Sequence, residues 1–111
     1  MQDMKIKILG EDWNIKFKTE EEDNYLKEVN GYCDHTVKTI IVAKLERQYN
    51  SYEDLEKCTK KIIRHELIHA FLDESGLMEN SDWARNEEMV DWFAIQFPKI
   101  KKLFKTVGVE E

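Results

Sequence analysis

Glycine and proline are scarce in this chain of 111 residues: it has four glycines and a single proline, Pro98. A flexible linker, a low-complexity stretch or a repeat does not fit that composition. No run approaches the roughly 18 apolar residues that a membrane span needs. Met1 to Leu9 is too charged to serve as the apolar segment of a secretory signal. Two cysteines, Cys33 and Cys58, make no framework, so free thiols and a cytoplasmic setting are expected. Basic charge does not dominate either. Lysine and arginine number 17 against 23 aspartates and glutamates, for a net charge of −6, which argues against a nucleic-acid partner. The one cationic stretch, Lys99, Lys101, Lys102 and Lys105, reads as a solvated helix face. Histidine is the scarcest reactive type after cysteine, with three copies, so the position of each carries information.

What is present suits one globular domain spanning 1–111. The chain is 41% hydrophobic, 11% aromatic and 36% charged, enough for a single modest core under a well-solvated surface. Lys5 to Leu9 and Trp13 to Lys18 each alternate apolar and polar residues, and Gly10-Glu11-Asp12 between them predicts a β-hairpin. Tyr25 to Val29 predicts one or two helical turns, and Asn30-Gly31 marks a break. A second strand pair is expected next: Tyr32 to Asp34 turns through His35 to Lys38 into Thr39-Ile40-Ile41-Val42-Ala43, whose β-branched residues suit a strand. Ser51 and Asp54 suggest a capping box for a helix reaching about Glu74, with Gly76 as its stop. Glu79 to Arg85 reads as a polar loop or loose turn. A second helix is expected from near Asn86 to about Phe97, with Met89, Val90, Trp92, Phe93 and Ala94 facing inward. Pro98 kinks or interrupts it, and Lys99 to Thr106 continues towards Gly108. The expected class is α+β, a small antiparallel β-sheet packed on the first helix, with the second helix beside it.

Two of the three histidines fall in His65-Glu66-Leu67-Ile68-His69. Imidazoles four residues apart share one face of a helix and can grip one ion, while the adjacent glutamate projects beside that ion. In such an H-E-x-x-H arrangement zinc takes two ring nitrogens and the carboxylate serves as general base. Ile62, Ile63, Leu67, Ile68, Ala70, Phe71 and Leu72 surround the motif, which predicts a helix buried on nearly every side. A catalytic zinc needs a third protein ligand and a position left for water. Glu87 and Asp91, four apart on the second helix, offer that ligand and an acceptor for the free ring N–H of a ligand histidine. Glu88, about 100° round the helix, is the competing ligand. His35, Tyr32 and Tyr49 are candidates to stabilise an oxyanion, without ranking. Thr39 to Ala43 is expected along the rim of the cleft, with an edge free to receive an extended peptide. Cys33 is not expected as a ligand, since a fourth would close the site to water.

With its following stretch, Glu87-Glu88-Met89-Val90-Asp91-Trp92-Phe93-Ala94, the motif resembles the zincins whose third ligand is a glutamate. It is most similar to the small ImmA/IrrE-type metallopeptidases of phages and mobile elements. In that family a Glu-x-x-Ala-Asn/Asp-x-Phe-Ala stretch follows the H-E-x-x-H helix. Glu87, Asp91, Phe93 and Ala94 match it, and Val90 stands where alanine is usual. The resemblance covers about residues 37 to 97. It implies a zincin-like fold, a zinc cofactor and intracellular proteolysis, often of a regulatory substrate such as a phage-type repressor. The expected roles are His65, His69 and Glu87 on Zn²⁺, Glu66 as catalytic base and Asp91 behind a ligand, with a protein or peptide as substrate. The alternative expectation is a catalytically silent, zinc-stabilised binding protein that engages a regulatory partner. Retention of Glu66 favours the enzyme.

Overall fold

The fold was taken from a computed structural model, which describes residues 1–46 and 54–111. Strands β1 (Met4–Ile8) and β2 (Glu11–Lys18) form the hairpin, in register from Ile8 opposite Glu11 to Met4 opposite Ile15. Leu9 and Gly10 make the turn, both with positive φ (48° and 86°). That pairing matches the twist of the flanking strands, and glycine meets it without strain. Trp13, Ile15 and Phe17 bury the inward face of β2. A single 3₁₀ turn, Asn24–Lys27, follows, and Asp23 caps it. Then come β3 (Gly31–Asp34) and β4 (Thr39–Ala43).

These strands join in the order β1-β2-β4-β3. β2 and β4 run parallel, whereas both other pairs are antiparallel. The sheet is therefore mixed, which corrects the antiparallel expectation. β4 lies inside it and has no free edge, so the expected peptide edge at Thr39 to Ala43 is also overturned. Every residue of β4 is buried. One face packs Ile40 and Val42 with Trp13, Ile15 and Phe17 under the first helix. The other packs Ile41 and Ala43 with Leu26 from the 3₁₀ turn. A continuous β-branched run is what a strand covered on both faces requires. The outer strands are β1 and β3.

Helix α1 (Leu55–Glu74) crosses the sheet. Its cap is Asp54 itself, whose carboxylate accepts from the Lys57 N–H at 2.9 Å; Ser51 and Tyr49 lie outside the described residues. Gly76, in the left-handed conformation at φ 84°, ends the helix region. At this end Glu74 accepts hydrogen bonds from Trp13 Nε1 at 2.9 Å and from Lys38 Nζ at 2.7 Å, tying helix to hairpin. Glu66, Ala70 and Leu72 are buried, but Phe71 is 52% exposed. Only one side of α1 faces the core, so the motif sits at a core boundary rather than within it.

A short helix α2 (Leu77–Asn80) runs into the segment expected as a polar loop or loose turn, which ends in a 3₁₀ turn, Trp83–Arg85. Helix α3 (Glu87–Val107) starts where Asn86 accepts from the Met89 N–H at 2.8 Å and runs unbroken to Gly108. It buries Val90 and Ala94. Trp92, expected inward, is 55% exposed.

Pro98 does not interrupt α3, and a residue on α1 shows why the helix tolerates it. Proline has no N–H to give to the carbonyl four residues back, here that of Ala94. Arg64 of α1 supplies the missing donor: its Nε reaches the Ala94 oxygen at 2.6 Å. The bond satisfies a buried carbonyl and pins α1 to α3 beside His65. Arg64→Ala is expected to lower stability by about 1–3 kcal/mol, the cost of an unsatisfied buried group. Pro98→Ala in that background recovers much of the loss, because the new N–H can bond to Ala94. Urea unfolding of the two single variants and the double variant measures the coupling. Equal effects of Arg64→Ala with Pro98 and with Ala at 98 would disprove the relay.

Candidate metal centre

His65 and His69 stand one turn apart on α1, their ring centroids 4.8 Å apart and inclined at 68°. The two Nε2 atoms face each other at 3.2 Å. Packing of α3 on α1 brings Glu87 to both: Oε2 is 3.1 Å from His65 Nε2, and Oε1 is 2.9 Å from His69 Nε2. Among the described residues His65, His69 and Glu87 form a group with ligand atoms all within 4.8 Å of one another, as a metal ion would need. Glu88 is outside it.

The donor set fits a small cation. Nitrogen and oxygen ligands about 2.0–2.1 Å from a tetrahedral zinc stand about 3.3–3.4 Å from one another. The approaches here, 2.9–3.2 Å, are somewhat shorter than that edge, with one Glu87 oxygen on each imidazole. Burial holds the His69 imidazole below its usual range, against the pull of Glu87, which favours the neutral, ligating form.

Asp91 lies on the same stripe of α3 as Glu87. Its Oδ1 is 3.4 Å from His65 Nδ1 and 3.6 Å from Lys61 Nζ. Nδ1 is the nitrogen turned away from the cluster. A carboxylate thus stands on the side of the His65 ring away from Glu87.

Glu66 is 7% exposed and lines the same open cleft as the cluster, a space of about 1170 Å³ between β3, α1 and the start of α3. No described residue hydrogen-bonds to its carboxylate. Burial pushes that carboxyl up to about 7; His65 opposes the shift and Glu87 adds to it.

One contributor was hidden in the sequence. Gly31, read there as a break, starts β3 directly against α1. A Cβ on it would lie 2.9 Å from Ile62 Cγ2, 3.1 Å from the Ile41 carbonyl and 3.4 Å from Glu66 Cγ. Glycine lets the edge strand seat this closely against Ile62 and the Ile41 carbonyl, beside Glu66, and Asn30-Gly31 was a signal for close approach as much as for a turn.

The other candidates separate clearly. The Tyr32 hydroxyl donates to Asp23, and its proton is held up to about 12 chiefly by that bond, so it is turned away from the cluster. His35 is exposed on the turn after β3 and lines the cleft. Cys33 and Cys58 are free thiols. Burial pushes the Cys33 thiol up to about 12, so it stays protonated and outside the ligand group.

No protein family, curated protein or solved structure matches the chain.

None of the described helices is long and apolar enough to cross a membrane.

Proposed function

We propose that the protein is a zinc metallopeptidase of the glutamate-zincin kind, similar to the ImmA/IrrE group, acting on an intracellular protein or peptide such as a phage-type repressor. One observation supports the reading: the donor groups of three side chains from two helices, with a different Glu87 oxygen facing each imidazole, approach one another at 2.9–3.2 Å beside a buried glutamate that opens into a cleft. His65, His69 and Glu87 would hold the ion. Three protein ligands, rather than four, suit a catalytic centre. When bound, zinc supplies Lewis acidity towards water and a substrate carbonyl.

This chain's own residues account for the remaining requirements. Glu66 takes a proton from the attacking water and returns it to the leaving amine, which demands a carboxyl able to hold and release a proton near neutrality. Asp91 orients His65 through Nδ1. An extended substrate pairs with the outer edge of β3, which no other strand among the described residues occupies and whose residues Gly31, Tyr32 and Cys33 line the cleft. This strand replaces the interior β4 in that role.

The test is incubation of the zinc-loaded protein with candidate repressors and a mixed peptide library, with and without chelator, followed by mass spectrometry. New cleavage termini that vanish with chelator and return with zinc are expected. A stable complex with an intact partner would instead establish a non-catalytic binder.

A further inference from the structure

The C-terminal half of α3 carries a surface that the metal centre does not use. Beyond Ala94 no described residue of the helix is buried. Yet Phe93, Phe97, Ile100, Phe104 and Val107 follow one another at intervals of four, three, four and three. That 3.5-residue repeat draws a straight apolar seam along a helix and is the pattern by which one helix packs on another. Phe93 and Phe97 stack on each other with centroids 5.3 Å apart, so the seam is ordered in advance. Phe97, Phe104 and Val107 are nonetheless 41%, 47% and 71% exposed. Isolated exposed apolar side chains are ordinary; a continuous seam marks an interaction site.

Charge selects the occupant. Residues 92–109 contain Lys99, Lys101, Lys102 and Lys105 and no acidic residue, in a chain whose net charge is −6. Counting the seam as alternating a and d positions puts Lys101 at e, the flank that meets a partner helix. A second copy laid along the seam would add a second set of lysines to the first. An acidic helix brings the opposite charge to the basic segment, and charges of the chain farther away than about 8 Å are screened at physiological salt.

We propose that α3 from Phe93 to Val107 is a docking surface for an amphipathic helix with an apolar seam and glutamate or aspartate flanks, supplied by a protein partner. It does not depend on the zinc-peptidase reading, and its test involves no metal.

The probe is a labelled three-heptad peptide with leucine at a and d and glutamate at e and g, compared with the same peptide carrying lysine at e and g. Fluorescence anisotropy against the whole protein should show saturable binding of the glutamate peptide, at least about tenfold tighter than the lysine peptide and weakened by salt. Phe104→Asp should abolish binding without changing the unfolding midpoint, since Phe104 is exposed. Lys101→Glu should shift the preference towards the lysine peptide, a reversal that general stickiness cannot produce. Absent binding, equal binding of both peptides, or an unchanged preference in Lys101→Glu would overturn the proposal. So would tighter association with phosphatidylserine vesicles, or a concentration-dependent dimer that Phe104→Asp dissolves in sedimentation runs.

Discussion

Glu66→Gln is expected to leave zinc binding intact and to lower peptide hydrolysis by about 10²–10⁴-fold, the usual contribution of a positioned acid–base group. Glutamine matches glutamate in size, so it fills the same buried position between α1 and β3. It cannot accept a proton from water. Its neutrality also relieves the burial that pushes the native carboxyl up to about 7, so the variant should fold at least as well as the parent. The loss must therefore appear in turnover, with zinc content and unfolding midpoint preserved. A Glu66→Gln protein with full peptidase activity would remove the general-base role and the mechanism with it.

Zinc itself should stabilise the native protein strongly, and Glu87 should govern how strongly. A ligand that binds only the folded state at a thousandfold excess over its dissociation constant adds about 4 kcal/mol. Most of that stabilisation is expected to be lost in Glu87→Ala, because two imidazoles alone leave the cation short of a charged donor. Glu88→Ala is the matched control. It removes an acidic side chain from the same first turn of α3 but lies outside the cluster, so the zinc-induced shift should persist. Calorimetric titration and thermal unfolding with and without zinc measure both. A zinc-induced shift kept in full by Glu87→Ala would show that Glu87 is not a ligand.

Much of the local architecture was legible in the chain. Alternation marked β2 at Trp13, Ile15 and Phe17, where one face meets the core. Asn86 marked the start of α3, since its side chain accepts from Met89 N–H. Non-local features were harder to read. The β-branched run at Thr39 to Ala43 announced a strand paired with Tyr32 to Asp34, as found, but not that β2 would run parallel along its other edge. The single proline announced a break, because the donor that replaces its missing N–H comes from Arg64, 34 residues earlier. Trp92 of α3 was expected to face inward, whereas it is 55% exposed. Periodicity shows that a face is apolar; it does not show what covers it.

The same division runs through the candidate site. Placement of His65 and His69 on one face, with Glu66 beside them, follows from the sequence alone, because the helical repeat is a local property of the backbone. The approach of Glu87 across 22 residues, of Gly31 to Glu66, and of Arg64 to the carbonyl opposite Pro98 is decided only in the folded molecule. Those distances depend on how α1 seats on the mixed sheet and on α3, and burial of apolar surface between elements far apart in the chain sets that seating.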